Sequence, residues 1–286
     1  MSQVITVLGS INLDLVVRCD QLPKAGETVL GDGFAKFPGG KGANQALAAS
    51  RLGAAVSMIG CVGADDEAEA ALALLRENGV DLDRCRVSEA APTGVAMIAV
   101  APDGDNQIVV ASGANGGLTI ADLPDRIEGA LIGQLETPVE VLSEAARRCE
   151  GLVVLNLAPA AEVPNELLER ADVLIVNEAE GEHYGLGRLF AAGGLTALTL
   201  GVRGAALFRD GQEIARCAPP QVEAIDATGA GDTFVAALSL ALLEQMTPSD
   251  ALAFACAAGA ASTLKAGAQP SLPLRADVEG LMIGAV

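Results

Sequence analysis

Short β-branched runs alternate with Ala- and Leu-rich stretches along this chain: VITVL (4–8) comes before NQALAASRLG (44–53), then AVSMIGCVG (55–63), then EAEAALALLRENG (67–79), closed by Gly79. A period of two that gives way to a helical period, repeatedly, predicts βαβ units and a parallel sheet covered by helices. GLVVLNLAP (151–159) and ADVLIVNEAE (171–180) are near-continuous apolar runs that end in polar residues, as central strands buried on both faces do. Ligands of such sheets bind beyond the carboxyl ends of the strands, where Asn156, Asn177 and Glu180 fall.

Two stretches interrupt the alternation. Residues 13–40 and 93–113 read as strand–turn–strand, the second around a PDGD turn at 102–105. Four such strands predict a small second sheet, read either as a lid over the site or as an edge extension of the main sheet. The hairpin AALFRDGQEIARC (205–217) is expected to end the main sheet. The 286 residues suit one large α/β domain spanning 1–286.

The formal net charge of -19 argues against nucleic acid and anionic membranes as partners, since both reward a basic face, and favours a small molecule. No apolar run approaches a membrane span, and the start MSQVITVLGS carries no basic leader. The six cysteines are scattered without a CxxC pair, which predicts reduced thiols in a soluble, cytoplasmic protein. His183 is the one histidine, so acid–base work falls to carboxylates.

The chemistry concentrates in two glycine-rich turns. In DATGAGDTF (226–234), the apolar helical pattern of TFVAALSLALLEQM follows at once, so Gly229, Ala230 and Gly231 lie where helix-start N–H groups are unpaired. That arrangement attracts an anion. Asp232 alone reads equally as a first-turn capping acid. The second turn, PGGKGANQALAAS (38–50), has the same plan of flexible loop and then helix, and with Lys41 the two starts are suited to converge on one anionic or polyol ligand. Neither a P-loop GxxxxGK[ST] nor a GxGxxG after the first strand is present.

GSINLD (9–14), PGGKGANQA (38–46), QLETP (134–138), NEAE (177–180), TLGVRG (199–204), DATGAGDTF and GAQPS (267–271) occur in the order and approximate spacing of the ribokinase/PfkB family of carbohydrate kinases, which the chain resembles over nearly its whole length. The resemblance implies a ribokinase-like α/β fold: a central, mostly parallel sheet flanked by helices, with a small β-sheet lid. It also implies transfer of the γ-phosphoryl group of ATP to a sugar hydroxyl, with the 5-hydroxyl of D-ribose as first choice. Another pentose, deoxyribose or a nucleoside is the alternative acceptor, and a sugar-binding regulator without catalysis is the alternative of a different class.

Carried over from the family, Asp232 is the base, and Gly229, Ala230 and Gly231 stabilise the transferring phosphoryl group. The sugar falls to Asn12, Asp14, Gly40, Lys41, Gly42, Asn44, Glu136 and Asp232. ATP falls to Asn177, Glu180, Thr199, Gly201, Arg203, Gly204, Gly231 and Cys256, with Mg²⁺ accompanying the nucleotide through water on Asn177 and Glu180. A K⁺ activator site is implied at Asp226, Thr228, Ser262, Lys265, Gly267 and Ser271. Lids of this kind pair between subunits, so a homodimer through the lid is implied. Two departures stand out: Cys256 lies where relatives often carry asparagine or another polar residue near the adenine, and residues 182–198 are shorter than usual.

Overall fold

The computed structural model describes residues 3–102 and 105–284; Asp103 and Gly104 of the expected PDGD turn lie outside the described residues. The strands are β1 Val4–Leu8, β2 Asn12–Cys19, β3 Gly31–Gly39, β4 Ala55–Gly63, β5 Asp81–Ser88, β6 Gly94–Val100, β7 Asn106–Ala111, β8 Ala130–Gly133, β9 Leu152–Asn156, β10 Val173–Asn177, β11 Leu195–Thr199, β12 Ala205–Arg209 and β13 Gln212–Cys217. The helices are α1 Lys41–Arg51, α2 Asp66–Glu77, α3 Val139–Arg148, α4 Asn165–Arg170, α5 Glu178–Tyr184, α6 Leu186–Ala191, α7 Ala230–Leu243, α8 Pro248–Ser262, α9 Ala268–Ser271 and α10 Arg275–Gly284.

Nine strands form the main sheet in the order β13-β12-β11-β10-β9-β8-β1-β4-β5. All neighbours from β5 to β11 are parallel, and the hairpin β12–β13 adds the antiparallel end that its turn residues predict. β1 sits where the order reverses: the chain first builds outward through β4 and β5, then returns to β8 and builds the other way. That reversal opens a crevice beyond the carboxyl ends of β1 and β8.

The alternation within each strand sends side chains to two cores. Ile5, Val7, Ala130 and Ile132 meet α1, α2, α7 and α8 through Leu47, Leu72, Phe234 and Leu252. Leu8, Leu131 and Leu155 meet α3, α4 and α6 through Leu142, Leu168 and Leu189. Helices on both faces explain why the central strands are apolar throughout. Residues 182–198 hold the end of α5, the six-residue α6 and most of β11.

The four remaining strands form a separate sheet in the order β3-β2-β6-β7. Apart from Asn12 at the start of β2, they fall within the two stretches, 13–40 and 93–113, that interrupt the βαβ rhythm. β2 pairs antiparallel with β3 and parallel with β6. Only Gly9, Ser10 and Ile11 separate β2 from β1, so this sheet begins at the crevice. It leaves Phe34, Met97, Ile108 and Val109 exposed. No helix among the described residues is long and apolar enough to cross a membrane.

Candidate active site

The crevice is built first from backbone turns. Leu8 and Gly133 are register partners at the ends of β1 and β8, so the residues that follow them, Ser10 and Glu136, face one another across the strand reversal. The Ser10 hydroxyl donates to Glu136 Oε2. Both also reach the start of α1: Lys41 N–H donates to Glu136 Oε2 at 3.3 Å, Gly42 N–H to Ser10 Oγ at 3.4 Å and Ala43 N–H to the Ser10 carbonyl at 2.9 Å. Gly40, at φ 89°, makes the turn, and a Cβ there would stand 2.8 Å from Asn12 N and the Ser10 carbonyl oxygen. Only glycine fits both the dihedral and the space.

Asn12 and Asp14 enter from β2, both buried. Asn12 Oδ1 accepts from Asn115 Nδ2 at 2.8 Å, while Asn115 pairs with the Ile11 backbone through both amide atoms, at 2.9 and 3.2 Å. The flanking strands make room with glycine: a Cβ on Gly94 would meet the Asn12 and Asn115 amides, and one on Gly39 would meet the Asp14 carboxyl. Burial pushes the Asp14 carboxyl up to about 7, assisted by the negative charges of Glu136 and Asp232.

Asp232 lies in the first turn of α7, which begins after Gly229 in the left-handed conformation (φ 83°) and has no side-chain cap. Its carboxylate is gripped by α1: Asn44 Nδ2 donates to Oδ2 at 2.9 Å and Gln45 Nε2 to Oδ1 at 2.9 Å. Burial raises the Asp232 carboxyl above its ordinary range, against the pull of Lys41 and these two amides. Burial pulls the Lys41 ammonium down, but the fields of Asp232, Glu136, Glu180 and Asp14 together outweigh it and leave Lys41 raised. One cation thus sits among four carboxyl groups, three of which titrate above their usual range. Such a site can take a proton from a hydroxyl, and the uncapped N–H groups beside it can take negative charge.

Lys41, Asn177, Glu180, Thr199, Gly231 and Asp232 line one cleft of ≈ 170 Å³. Asn177 and Glu180 form a reciprocal cap at the start of α5: Glu180 N–H donates to Asn177 Oδ1 at 2.8 Å and Asn177 N–H to Glu180 Oε2 at 2.9 Å. Gly201, Arg203 and Gly204 stand outside this cleft, in a turn where Leu200 N–H donates to the Gly204 carbonyl at 2.7 Å and Arg203 pairs with Glu178. That turn abuts Cys217, whose carbonyl would collide with a Cβ on Gly204. Cys217, Ala253 and Ala257 line a second hollow of ≈ 610 Å³, open and largely apolar, with none of the four carboxyl groups in its wall. Cys256 is not in that wall: it is buried, its thiol 3.8 Å from the Cys217 carbonyl oxygen and pushed up to about 12 by burial.

Of the six expected cation ligands, three meet directly. Asp226 Oδ1 accepts from Thr228 N–H (2.9 Å) and Oγ1 (2.6 Å), and Oδ2 accepts from Gly267 N–H at 2.8 Å. Burial pushes the Asp226 carboxyl up, but these hydrogen bonds, with the charge of Arg18, hold it below its ordinary value. The hydroxyls of Ser262 and Ser271 donate instead to carbonyls of their own helical turns, Gly259 and Ala268, both at 2.8 Å. Lys265 is exposed.

Sequence reasoning passed over Ser10, Gln45, Asn115 and Gln134. Three of them stand in GSINLD, PGGKGANQA and QLETP, but they are polar residues whose burial local sequence does not reveal. Asn115 sits in a separate GANGG turn and carries no signal of its own.

The chain matches the pfkB family of carbohydrate kinases over residues 2–275. It is 40% identical over 293 aligned residues to the ribokinase of Bacillus subtilis, covering 97% of this chain and 99% of that protein. It is 37% identical to the ribokinase of Haemophilus influenzae, covering 97% of each. Among solved structures, the Arabidopsis thaliana ribokinase in complex with ribose and ATP superposes with a TM-score of 0.86 at 31% identity, covering 99% of both chains. The chain belongs to the pfkB family of carbohydrate kinases.

Proposed function

We propose that the protein is an ATP-dependent kinase that transfers the γ-phosphoryl group to the 5-hydroxyl of D-ribose, with Asp232 as the base. The observation that carries this reading is the Asp232 carboxylate, fixed by Asn44 and Gln45 at the uncapped start of α7 and opening onto the cleft that holds Lys41. Phosphoryl transfer asks mainly for positioning and charge neutralisation, and a carboxylate suffices to accept the proton. Relatives named as ribokinases support ribose as the acceptor.

In this reading Asn12, Asp14, Gly40, Lys41, Gly42, Asn44 and Glu136 bind the sugar. The buried Asn44 Oδ1 has no partner and suits a substrate hydroxyl, which would supply the missing donor. Gly229, Ala230 and Gly231 take the developing phosphoryl charge. Asn177, Glu180, Thr199 and Gly231 face the nucleotide phosphates, and Gly201, Arg203, Gly204 and the Cys217 hollow take its outer part.

Among the described residues no three His, Cys, Asp or Glu side chains cluster so as to hold a metal by themselves. Mg²⁺ in this reading comes with ATP and shares its shell between phosphates and water, near Asn177 and Glu180. In this reading the ionised Asp226 holds K⁺ with oxygens of Thr228, Ser262, Lys265, Gly267 and Ser271, and its contacts to Thr228 and Gly267 support that. The exposed apolar side chains Phe34, Met97, Ile108 and Val109 support a homodimer through the small sheet acting as a lid. Six unpaired cysteines accord with a cytoplasmic setting.

Initial rates with ATP and a panel of pentoses, deoxyribose and nucleosides test the acceptor. Ribose is expected to be turned over fastest, and no preference for it over other pentoses would overturn the substrate assignment. Replacing K⁺ by Na⁺ in the same assay tests the cation site, and sedimentation velocity tests the dimer.

A further inference from the structure

Asp232 is held by buried amides beyond Asn44. Gln45 is fully buried on α1, and both protons of its Nε2 are used: one goes to Asp232 Oδ1 at 2.9 Å, the other to Asn156 Oδ1 at 3.1 Å. Its Oε1 accepts from Gln134 Nε2 at 2.6 Å. Gln134, also fully buried, follows β8, and Asn156 ends β9 and donates to the Ile175 carbonyl at 3.4 Å.

We infer that Gln45 is a positioning residue for the Asp232 carboxylate, that Asn156 locks the Gln45 amide in the orientation that donates to it, and that Gln134 supplies the donor for its Oε1. A carboxylate only accepts hydrogen bonds, so rotating the Gln45 amide by half a turn would set Oε1 against Asp232 and against Asn156 Oδ1, whose amide is held by its own bond to the Ile175 carbonyl. Both contacts would be repulsive. Asn44 and Gln45 are successive residues of one helix and approach the carboxylate from different sides, one on each oxygen. Each oxygen keeps a lone pair for a substrate proton while the plane of the group is fixed. The donors are neutral: a cation there would cut the basicity of Asp232, and a second acid would repel it. Gln134 has room because position 9 is glycine, where a Cβ would collide with its Oε1.

The inference rests on Asp232 being the base, and the test separates the two. Purified wild type and Gln45→Met, Gln45→Glu and Gln134→Met variants are compared for kcat, sugar KM, the pH profile of kcat and melting temperature. Gln45→Met removes a hydrogen bond to a charged group, and kcat is expected to fall about 10- to 100-fold with sugar KM changed by less than about threefold. Gln134→Met, one bond further out, is expected to lower kcat by about three- to tenfold.

The acid limb of kcat is expected to move to higher pH in Gln45→Met, because a donor favouring the ionised form is gone while Lys41, Glu136, Asp14 and Glu180 stay in place. Should Gln45→Met fail to fold, Gln45→Glu keeps the shape. Its activity is then expected to fall as pH rises, when the new acid loses the proton it donates to Asp232. A kcat within twofold of wild type, a loss matched by a rise in KM with an unmoved pH profile, or a Gln45→Glu profile like that of wild type would overturn the inference. A wild type that phosphorylates no sugar would overturn the reading beneath it.

Discussion

The two glycine-rich helix starts look alike in sequence and differ in what their N–H groups do. At α1, the first three N–H groups are taken up by Glu136 and Ser10. At α7, the Ala230 N–H turns back to the Ala227 carbonyl at 3.2 Å, but no side chain caps the turn, and Gly231 stands exposed on the cleft. The first start is closed and serves to hold Lys41, Asn44 and Gln45 in place; the second is open and suited to meet an anion. A loop followed by a helix is therefore not by itself an anion site. What decides is whether the protein has already supplied the negative partner.

Removing the acid at the open start has the largest expected effect. Asp232→Asn is expected to lower kcat by about 10²- to 10⁴-fold, the usual worth of a general base, with the melting temperature kept within a few degrees. A variant as active as wild type would remove the distinction between the two starts. Next come the glycines that make the turns. Gly40→Ala meets both a positive φ and backbone atoms at 2.8 Å, whereas Gly229→Ala has its nearest contact at 3.3 Å, to Ala268. The first is expected to lose about 2–4 kcal/mol of stability and the second about 1–2 kcal/mol, measured by denaturant unfolding. Equal losses would mean that the closed start is no more tightly built than the open one.

Asp14→Asn, on the sugar side of the closed start, is expected to raise sugar KM by about 10- to 100-fold in steady-state assays, as loss of a charged hydrogen bond does. A further effect is the pH dependence of stability. Asp14 sits at about 7 when folded against an ordinary 3.8, so the folded state keeps a proton across that window that the unfolded chain has released. Stability therefore falls as pH rises through the window. Melting curves of the sugar-free protein are expected to show this fall in excess of that in Asp14→Asn, and parallel curves would show that Asp14 carries no such strain.

The layered α/β fold was legible because burial on both faces forces apolar strands such as 151–156 and 173–177, and the small sheet because its strands interrupt the helical rhythm. Asp232 and Lys41 stood out in the two glycine-rich turns and Asn44 through the family resemblance; the structure joins Asn44 to Asp232 and sets Lys41 on the same cleft as Asp232. Gln45, Gln134 and Asn115 were not singled out, because a polar residue inside a motif gives no sign of whether it faces water or a buried partner. Nor did the pattern separate the closed helix start from the open one: the acid that fills the closed start, Glu136, is 95 residues from Lys41 in the chain. That Cys217 rather than Cys256 lines the larger hollow depends on how α8 packs against β13, which local sequence does not determine.

The Asp14 carboxyl also ties sugar uptake to the solvent. Near neutral pH the free protein carries this group partly protonated, and a sugar whose hydroxyls donate to it would favour the ionised form. Binding would then expel a fraction of a proton, so the heat of binding should vary with the ionisation enthalpy of the buffer. A site crowded with acids would thus act as a small proton reservoir that its substrate empties on entry.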